Sequence, residues 1–241
     1  LIIYFYVVVS FIFSNTIYHV PIEGTIDLGL PPYIERSINE AEEIGAELII
    51  FEINTFGGRV DAATQIKDLI LDSKVPTVAF INKRAISAGA LISLSCEQIY
   101  MTGGATIGAT TAVDGSGKKA SEKVISYMRE EMAATAEKRG RNKEIARGMV
   151  DEELEFPSKI KYEYVTTDNE VDTIKSIVHY LIFDQDTIYV DDIEGRKQGN
   201  LITLTTEQAL KYEIADNSAD TFDSVLDSLG LSDSSINITS E

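Results

Sequence analysis

Ser87, in the run Ala85-Ile86-Ser87-Ala88-Gly89-Ala90, has a setting suited to a nucleophile and no histidine nearby to activate it. Tiny residues flank it at the expected start of a helix, which leaves its hydroxyl open to a cleft. The N–H of Ala88, just after it, is the usual place for an oxyanion donor. The competing reading is an ordinary serine N-cap, which stabilises a helix by about 1 kcal/mol. The chain holds two histidines, His19 ahead of the first expected helix and His179 in a late polar segment. The base must then be another residue type, and lysine leads. A lysine serves only as the neutral amine, a form favoured by desolvation and by the positive end of a helix. Lys123 stands in the first turn of a helix expected over residues 121–138, next to the apolar Val124. Lys118 and Lys119 follow the loop Asp114-Gly115-Ser116-Gly117 and are expected in solvent. No aspartate or glutamate downstream of Ser87 has a comparable apolar setting.

A second chemistry-bearing segment is Thr55-Phe56-Gly57-Gly58-Arg59-Val60-Asp61. Paired glycines between a strand and a helix let backbone N–H groups approach a ligand closely, and the helix end adds positive potential. Gly57 or Gly58 can supply an oxyanion donor beside Ala88, and the same stretch offers an edge for an extended peptide. A plain strand-to-helix turn is the simpler alternative.

The elements that must position these residues alternate along 17–150. Ile17–Ile22 reads as a strand, and residues 31–45 as a helix opened by Pro31-Pro32 and closed by Gly45. Leu48-Ile49-Ile50-Phe51-Glu52-Ile53 is nearly continuous in apolar residues, as a buried parallel strand requires. Ala62, Ala63, Ile66, Leu69 and Ile70 form one face of a helix over 59–73. A strand at 75–81, a short helix at 87–94, a strand at 99–101 and the glycine-rich 102–108 follow. Residues 121–138 form an amphipathic helix with Val124, Ile125, Met128 and Met132 inward, and residues 142–149 a shorter one. This rhythm predicts an α/β fold with βαβ repeats, a parallel sheet and right-handed crossovers. Residues 158–186 are polar and lack a clear period, and the tail 216–241 is rich in Ser and Asp.

Composition narrows the function. A formal charge of -18 without a basic patch argues against nucleic acid or an anionic membrane surface as the partner. The single cysteine, Cys96, excludes an internal disulfide and a cysteine-based zinc site, and its apolar setting fits a small buried filler. Residues 1–13, LIIYFYVVVSFIF, are apolar and uncharged, with the length of a signal-peptide core; a buried strand is the alternative.

In order along the chain stand GGRVDAA at 57–63, AISAGALI at 85–92, GGATIGA at 103–109, Gly140-Arg141-Asn142 with Met149-Val150-Asp151-Glu152, and Gly199-Asn200-Leu201-Ile202-Thr203-Leu204-Thr205 before a helix containing Ala209. Together they resemble the NfeD family of membrane-associated, ClpP-class serine proteases over about residues 16–230, interrupted at 158–186. The resemblance implies a ClpP/crotonase-like fold and a Ser-Lys dyad. Its serine falls on Ser87. Its lysine precedes a helix ending in Gly-Arg-Asn, a spacing that falls on Lys123, and its oxyanion glycines fall on Gly57 and Gly58. Phe56 stands where the family usually has proline, and Ile86 where it has a small residue. Phe56, Arg59 and Ile86 are accordingly expected beside the substrate, with backbone pairing at Ile107 and Gly108.

The resemblance also implies a stomatin-like membrane partner cleaved in an apolar segment, no metal or cofactor, and a homodimer or higher homo-oligomer. Long members of the family continue into transmembrane helices and an OB-like barrel. The expected division is therefore 1–15 as a signal peptide or membrane-anchor remnant, 16–157 as the protease core, 158–187 as an insertion, 188–230 as the end of the protease domain and 231–241 as an acidic linker toward a membrane region. The protease domain is expected outside the cytoplasm, exported or membrane-anchored. Two other functions remain compatible: crotonase-type acyl-CoA chemistry, which needs an acidic residue in the cleft, and an inactive scaffold for a stomatin-like protein.

Overall fold

The computed structural model describes residues 16–111, 113, 118–152, 154, 158–167, 170–183, 186–189 and 199–238. The expected leader at 1–15 lies outside them. The chain runs β1 (Thr16–Ile26), α1 (Leu30–Glu43), β2 (Leu48–Gly58), α2 (Val60–Asp72), β3 (Thr77–Ile86), α3 (Ala88–Ser95), β4 (Gln98–Met101), β5 (Thr106–Gly108), α4 (Glu122–Lys138) and α5 (Lys143–Gly148). It continues through β6 (Ser158–Thr167), β7 (Glu170–Phe183), β8 (Asp186–Tyr189), β9 (Thr203–Thr205), α6 (Thr206–Lys211), β10 (Asn217–Ser218), α7 (Phe222–Leu229) and β11 (Ser235–Ile238).

The main sheet has the order β10-β4-β3-β2-β1-β11, with all of these pairs parallel. Beyond the end of β4, β5 pairs with the last residues of β3 and takes β9 antiparallel on its other edge. The fold is the expected α/β arrangement around a mostly parallel sheet. Leu48, Ile49, Ile50 and Phe51 are all buried because helices cover both faces of β2. One face carries the large core under α1 to α6, and α7 closes the lower half of the other with Val225 and Leu226 on Ile17, Ile50, Val78 and Phe80.

Above α7 that second face turns polar. Glu52 accepts a hydrogen bond from Asn82 Nδ2 at 2.6 Å and lies 2.8 Å from His19 Nε2, joining β1, β2 and β3. The His19 contact, opposed by burial and aided by Asn82, holds the Glu52 carboxyl below its usual range. The His19 ring in turn packs 4.4 Å from Phe222 of α7.

Three segments differ from the sequence reading. β2 and β3 run on to Gly58 and Ile86, because polar residues end the apolar run without ending the pairing. β6, β7 and β8 pair as a three-stranded antiparallel sheet, where the sequence reading had only a polar insertion without a clear period. Within the expected acidic linker, Ser235–Ile238 pairs with β1 as an edge strand, leaving 239–241 outside the described residues. Cys96 is fully buried, and burial pushes its thiol up to about 12.

Candidate functional site

The turn from β3 to α3 places Ser87 in a conformation that few non-glycine residues adopt, φ 57° and ψ −116°. Its N–H donates to Gly108 O at 2.9 Å, and its own carbonyl accepts from Ala90 N at 2.9 Å. The hydroxyl makes no capping bond, although Ser87 occupies the N-cap position. The capping role that would make this serine ordinary is therefore not exercised. Ala88 follows as the first residue of α3, where an amide has no acceptor within the helix. All eight residues of α3 are buried, so the helix is a fixed mount.

Gly57 lies against Ser87. A Cβ built there would stand 2.6 Å from Ser87 Cβ and 3.1 Å from its Oγ, and φ is +105°. At Gly58 a Cβ would stand 2.0 Å from Ile26 O. Thr55 Oγ1 fixes the turn by donating to Gly24 O and accepting the Gly57 N–H at 2.8 Å. The Gly57 amide is thus engaged. Gly58 lies beyond the end of the β2–β3 pairing at Thr55–Ala85 and lines the cleft.

That cleft has a volume of about 770 Å³ and is lined by Ser87, Ala88, Gly58 and Arg59, by Thr110, Thr111 and Val113, and by Val124, Tyr127 and Met128 of α4, among others. Most of the lining is apolar. Arg59 pairs with Asp61 at 2.7 and 3.0 Å, and this hydrogen bonding holds the Asp61 carboxyl low. Asp61, the carboxylate of the cleft, is therefore committed to its arginine.

Of the residues expected at the site, Ser87, Ala88, Gly58 and Arg59 line the cleft, and Gly57 packs directly behind Ser87. Phe56 does not; it is 73% exposed with the Arg84 guanidinium 4.4 Å from its ring centre. Ile86 is half-buried outside the lining, and Ile107 is fully buried in the core. The Gly108 carbonyl is taken by Ser87. Thr110 and Thr111, just downstream, occupy the cleft wall instead.

Lys123 is exposed in the first turn of α4 and makes no hydrogen bond or ion pair among the described residues. The apolar setting read from sequence is not realised there. Ile125, Met128 and Met132 define the buried face of α4, and Lys123 lies nearly opposite Ile125 around the helix. Val124, expected inward, is 37% exposed at the cleft rim. Lys123 nevertheless sits one turn before Tyr127, on the side of α4 that faces the cleft. Lys119 is tied to Glu152 at 2.6 Å, and Lys67 to Glu131 at 2.9 Å.

The Gly140-Arg141-Asn142 segment anchors the other end of α3. Arg141, 4% exposed, donates to Cys96 O at 3.3 Å, Glu97 O at 3.1 Å and Ile214 O at 3.0 Å, and pairs with Asp216 at 2.7 Å. Arg139 Nε donates to Ser95 O at 2.7 Å. Cations at a helix C-terminus complement its dipole as well as its unpaired carbonyls. Asn142 then caps α5 by accepting from Glu144 N and Ile145 N, each at 3.1 Å.

The NfeD1b N-terminal domain family matches residues 16–180. The chain belongs to this NfeD family. Among NfeD relatives, the membrane protein NfeD1b of Bacillus subtilis is 31% identical over 228 residues, 95% of this chain and 44% of that protein. The membrane-bound protease PH1510 of Pyrococcus horikoshii is 31% identical over 159 residues, 63% of this chain and 36% of that protein. The chain thus spans less than half the length of either. Among solved structures, a serine-to-alanine variant of the 1510-N membrane-bound stomatin-specific protease superposes with a TM-score of 0.68 at 23% identity, covering 95% of this chain and 99% of that one. A lysine-to-alanine variant of the same protease, in complex with a substrate peptide, gives 0.67 over 94% and 91%. ClpP1 of Listeria monocytogenes gives 0.55 at 19% identity over 88% and 94%, so the NfeD fold here is ClpP-like. Among the described residues no helix is long and apolar enough to cross a membrane.

Proposed function

We propose that this domain is a serine endopeptidase using a Ser87–Lys123 dyad to cleave apolar segments of membrane-protein partners, stomatin-like proteins among them. The observation that carries the reading is Ser87 itself: a strained nucleophile turn, a hydroxyl not used for capping, and a glycine backbone at its side in an apolar cleft. The relatives add support, since one is named a membrane-bound protease and a lysine-to-alanine variant of the 1510-N protease holds a substrate peptide.

In this mechanism Lys123, as the neutral amine, takes the Ser87 proton while Oγ attacks the scissile carbonyl. The amides of Gly58 and Ala88 receive the oxyanion; Gly57 is the lesser candidate because its N–H is held by Thr55. The tetrahedral intermediate expels the amine, which leaves with the proton from Lys123. Lys123 then deprotonates a water that hydrolyses the acyl-enzyme and returns Ser87 to its hydroxyl form. The substrate lies extended along 57–60, where a backbone edge is open beyond the β2–β3 pairing. The mechanism requires Lys123 to fold over the cleft rim from its exposed position, one turn before Tyr127. No metal or cofactor takes part. The domain is assigned to the outside of the cytoplasm, exported or membrane-anchored, as a homodimer or larger assembly.

The outward position of Lys123 favours one second reading, a scaffold that binds a stomatin-like partner without turnover. Incubation with peptides carrying an apolar stretch separates the two. Cleavage by the parent, lost by 10²-fold or more in Ser87→Ala and Lys123→Ala, is the expected result. Variants that cleave as well as the parent eliminate the dyad, and binding of a stomatin-like domain without cleavage selects the scaffold.

A further inference from the structure

We propose that Arg84 and Phe56 form a recognition site for an acidic residue of the polypeptide substrate, beside the Gly57–Ser87 turn but outside the cleft. The inference rests on the endopeptidase reading above and names what the substrate carries next to its apolar segment. The chain is rich in acidic groups, with 39 aspartates and glutamates against 21 lysines and arginines. Arg36, Arg59, Arg129, Arg139, Arg141 and Arg147 each form an ion pair with one of them. Arg84 alone among the described arginines forms no ion pair and no hydrogen bond through its side chain within the described residues. It is nevertheless half-buried, with its guanidinium 4.4 Å from the centre of the Phe56 ring, and Phe56 is 73% exposed. Stacking on an aromatic face orients a guanidinium and leaves its in-plane N–H donors free. Those donors match a carboxylate.

The chain's own carboxylates on this part of the sheet do not supply the partner. Glu23, Asn54 and Arg84 stand in register across β1, β2 and β3, which puts Glu23 two strands from Arg84, about 10 Å by strand spacing. Glu52, two residues before Asn54, is held by His19 and Asn82. The position along the chain points to substrate. Arg84 lies three residues before Ser87, and Phe56 directly precedes Gly57. Three residues of strand span about 10 Å, so a polypeptide reacting at Ser87 brings a residue about three or four positions from its scissile bond to the guanidinium. The exposed Phe56 ring receives an apolar neighbour of that acid, a contact that a small free anion does not make.

The test measures binding separately from cleavage. The full chain carrying Ser87→Ala is titrated, by fluorescence anisotropy, with labelled apolar peptides that hold one glutamate at successive positions, and with their glutamine counterparts. At one position of the scan the glutamate peptide should bind about 10-fold tighter than the glutamine one. Adding Arg84→Ala should abolish that difference, and Arg84→Lys or Phe56→Leu should keep only part of it. Arg84→Glu should invert it in favour of a lysine peptide. No preference at any position, or a preference that persists in Arg84→Ala, overturns the site. Acetate that competes as strongly as the peptide overturns the polypeptide assignment. Equal cleavage of the glutamate and glutamine peptides by the parent, lost in Ser87→Ala, overturns the site and leaves the endopeptidase reading standing. Arg84-dependent binding without cleavage by the parent upholds the site and removes the endopeptidase reading. Tm is recorded for each variant, and if Arg84→Ala fails to fold, Arg84→Gln is judged by the same ratio.

Discussion

Ser87 and Gly57 form a matched pair at the residue scale. The serine accepts a positive φ, and the glycine at φ +105° leaves the space that the serine side chain occupies. Gly57→Ala would place a methyl 2.6 Å from Ser87 Cβ and force a side chain into a backbone region that disfavours it. The expected outcome is loss of about 1–3 kcal/mol in stability and a fall of 10²-fold or more in Ser87 labelling by a fluorophosphonate and in peptide cleavage, because the proposed nucleophile itself must move. Chemical unfolding and labelling rates check the two effects separately. Gly89 has a structural reason of its own, since a Cβ there would meet Thr55 Cγ2 at 2.5 Å.

Among the elements, α3 decides whether that pair is presented. Its N-terminus carries Ser87 and Ala88, while its C-terminal carbonyls are gripped by Arg139 and Arg141 from the end of α4. The grip joins the helix of the proposed nucleophile to the helix of the proposed base. Removing one partner of a buried charged network leaves the rest unsatisfied, so Arg141→Ala should lose about 3 kcal/mol in urea unfolding. Arg141→Lys should fall between, because an ammonium cannot reach carbonyls on several segments with a planar fork. In both variants cleavage should drop even at temperatures where the protein remains folded.

Across the whole molecule, the His19–Glu52–Asn82 contacts lock three central strands beside α7. Glu52 has its folded-state value lowered, so its contribution is present above the unfolded glutamate value and is lost as pH falls through the folded one. Glu52→Gln should therefore be less stable at neutral pH by about 1 kcal/mol, allowing for the partial exposure of the carboxylate. Its Tm should also drop less than the parent's between about pH 7 and about pH 3. A parent and variant that lose Tm in parallel over that range assign the acid sensitivity elsewhere.

The sequence by itself determined the α/β order and the glycine turn beside Ser87, because each has a local cause. The Leu48–Phe51 run needs burial on both sides wherever it lies, and Gly57-Gly58 after a strand marks a close approach without naming what approaches. Even the Gly-Arg-Asn motif was visible, though its work on the carbonyls of α3 was not. Tertiary structure decided the rest. Ser235–Ile238 is a strand because β1 offers an open edge, and four residues of a polar tail carry no signal for that. Lys123 faces out because the buried stripe of α4 is set by Ile125, Met128 and Met132, and a rotation of half a helical turn separates a buried lysine from a solvated one.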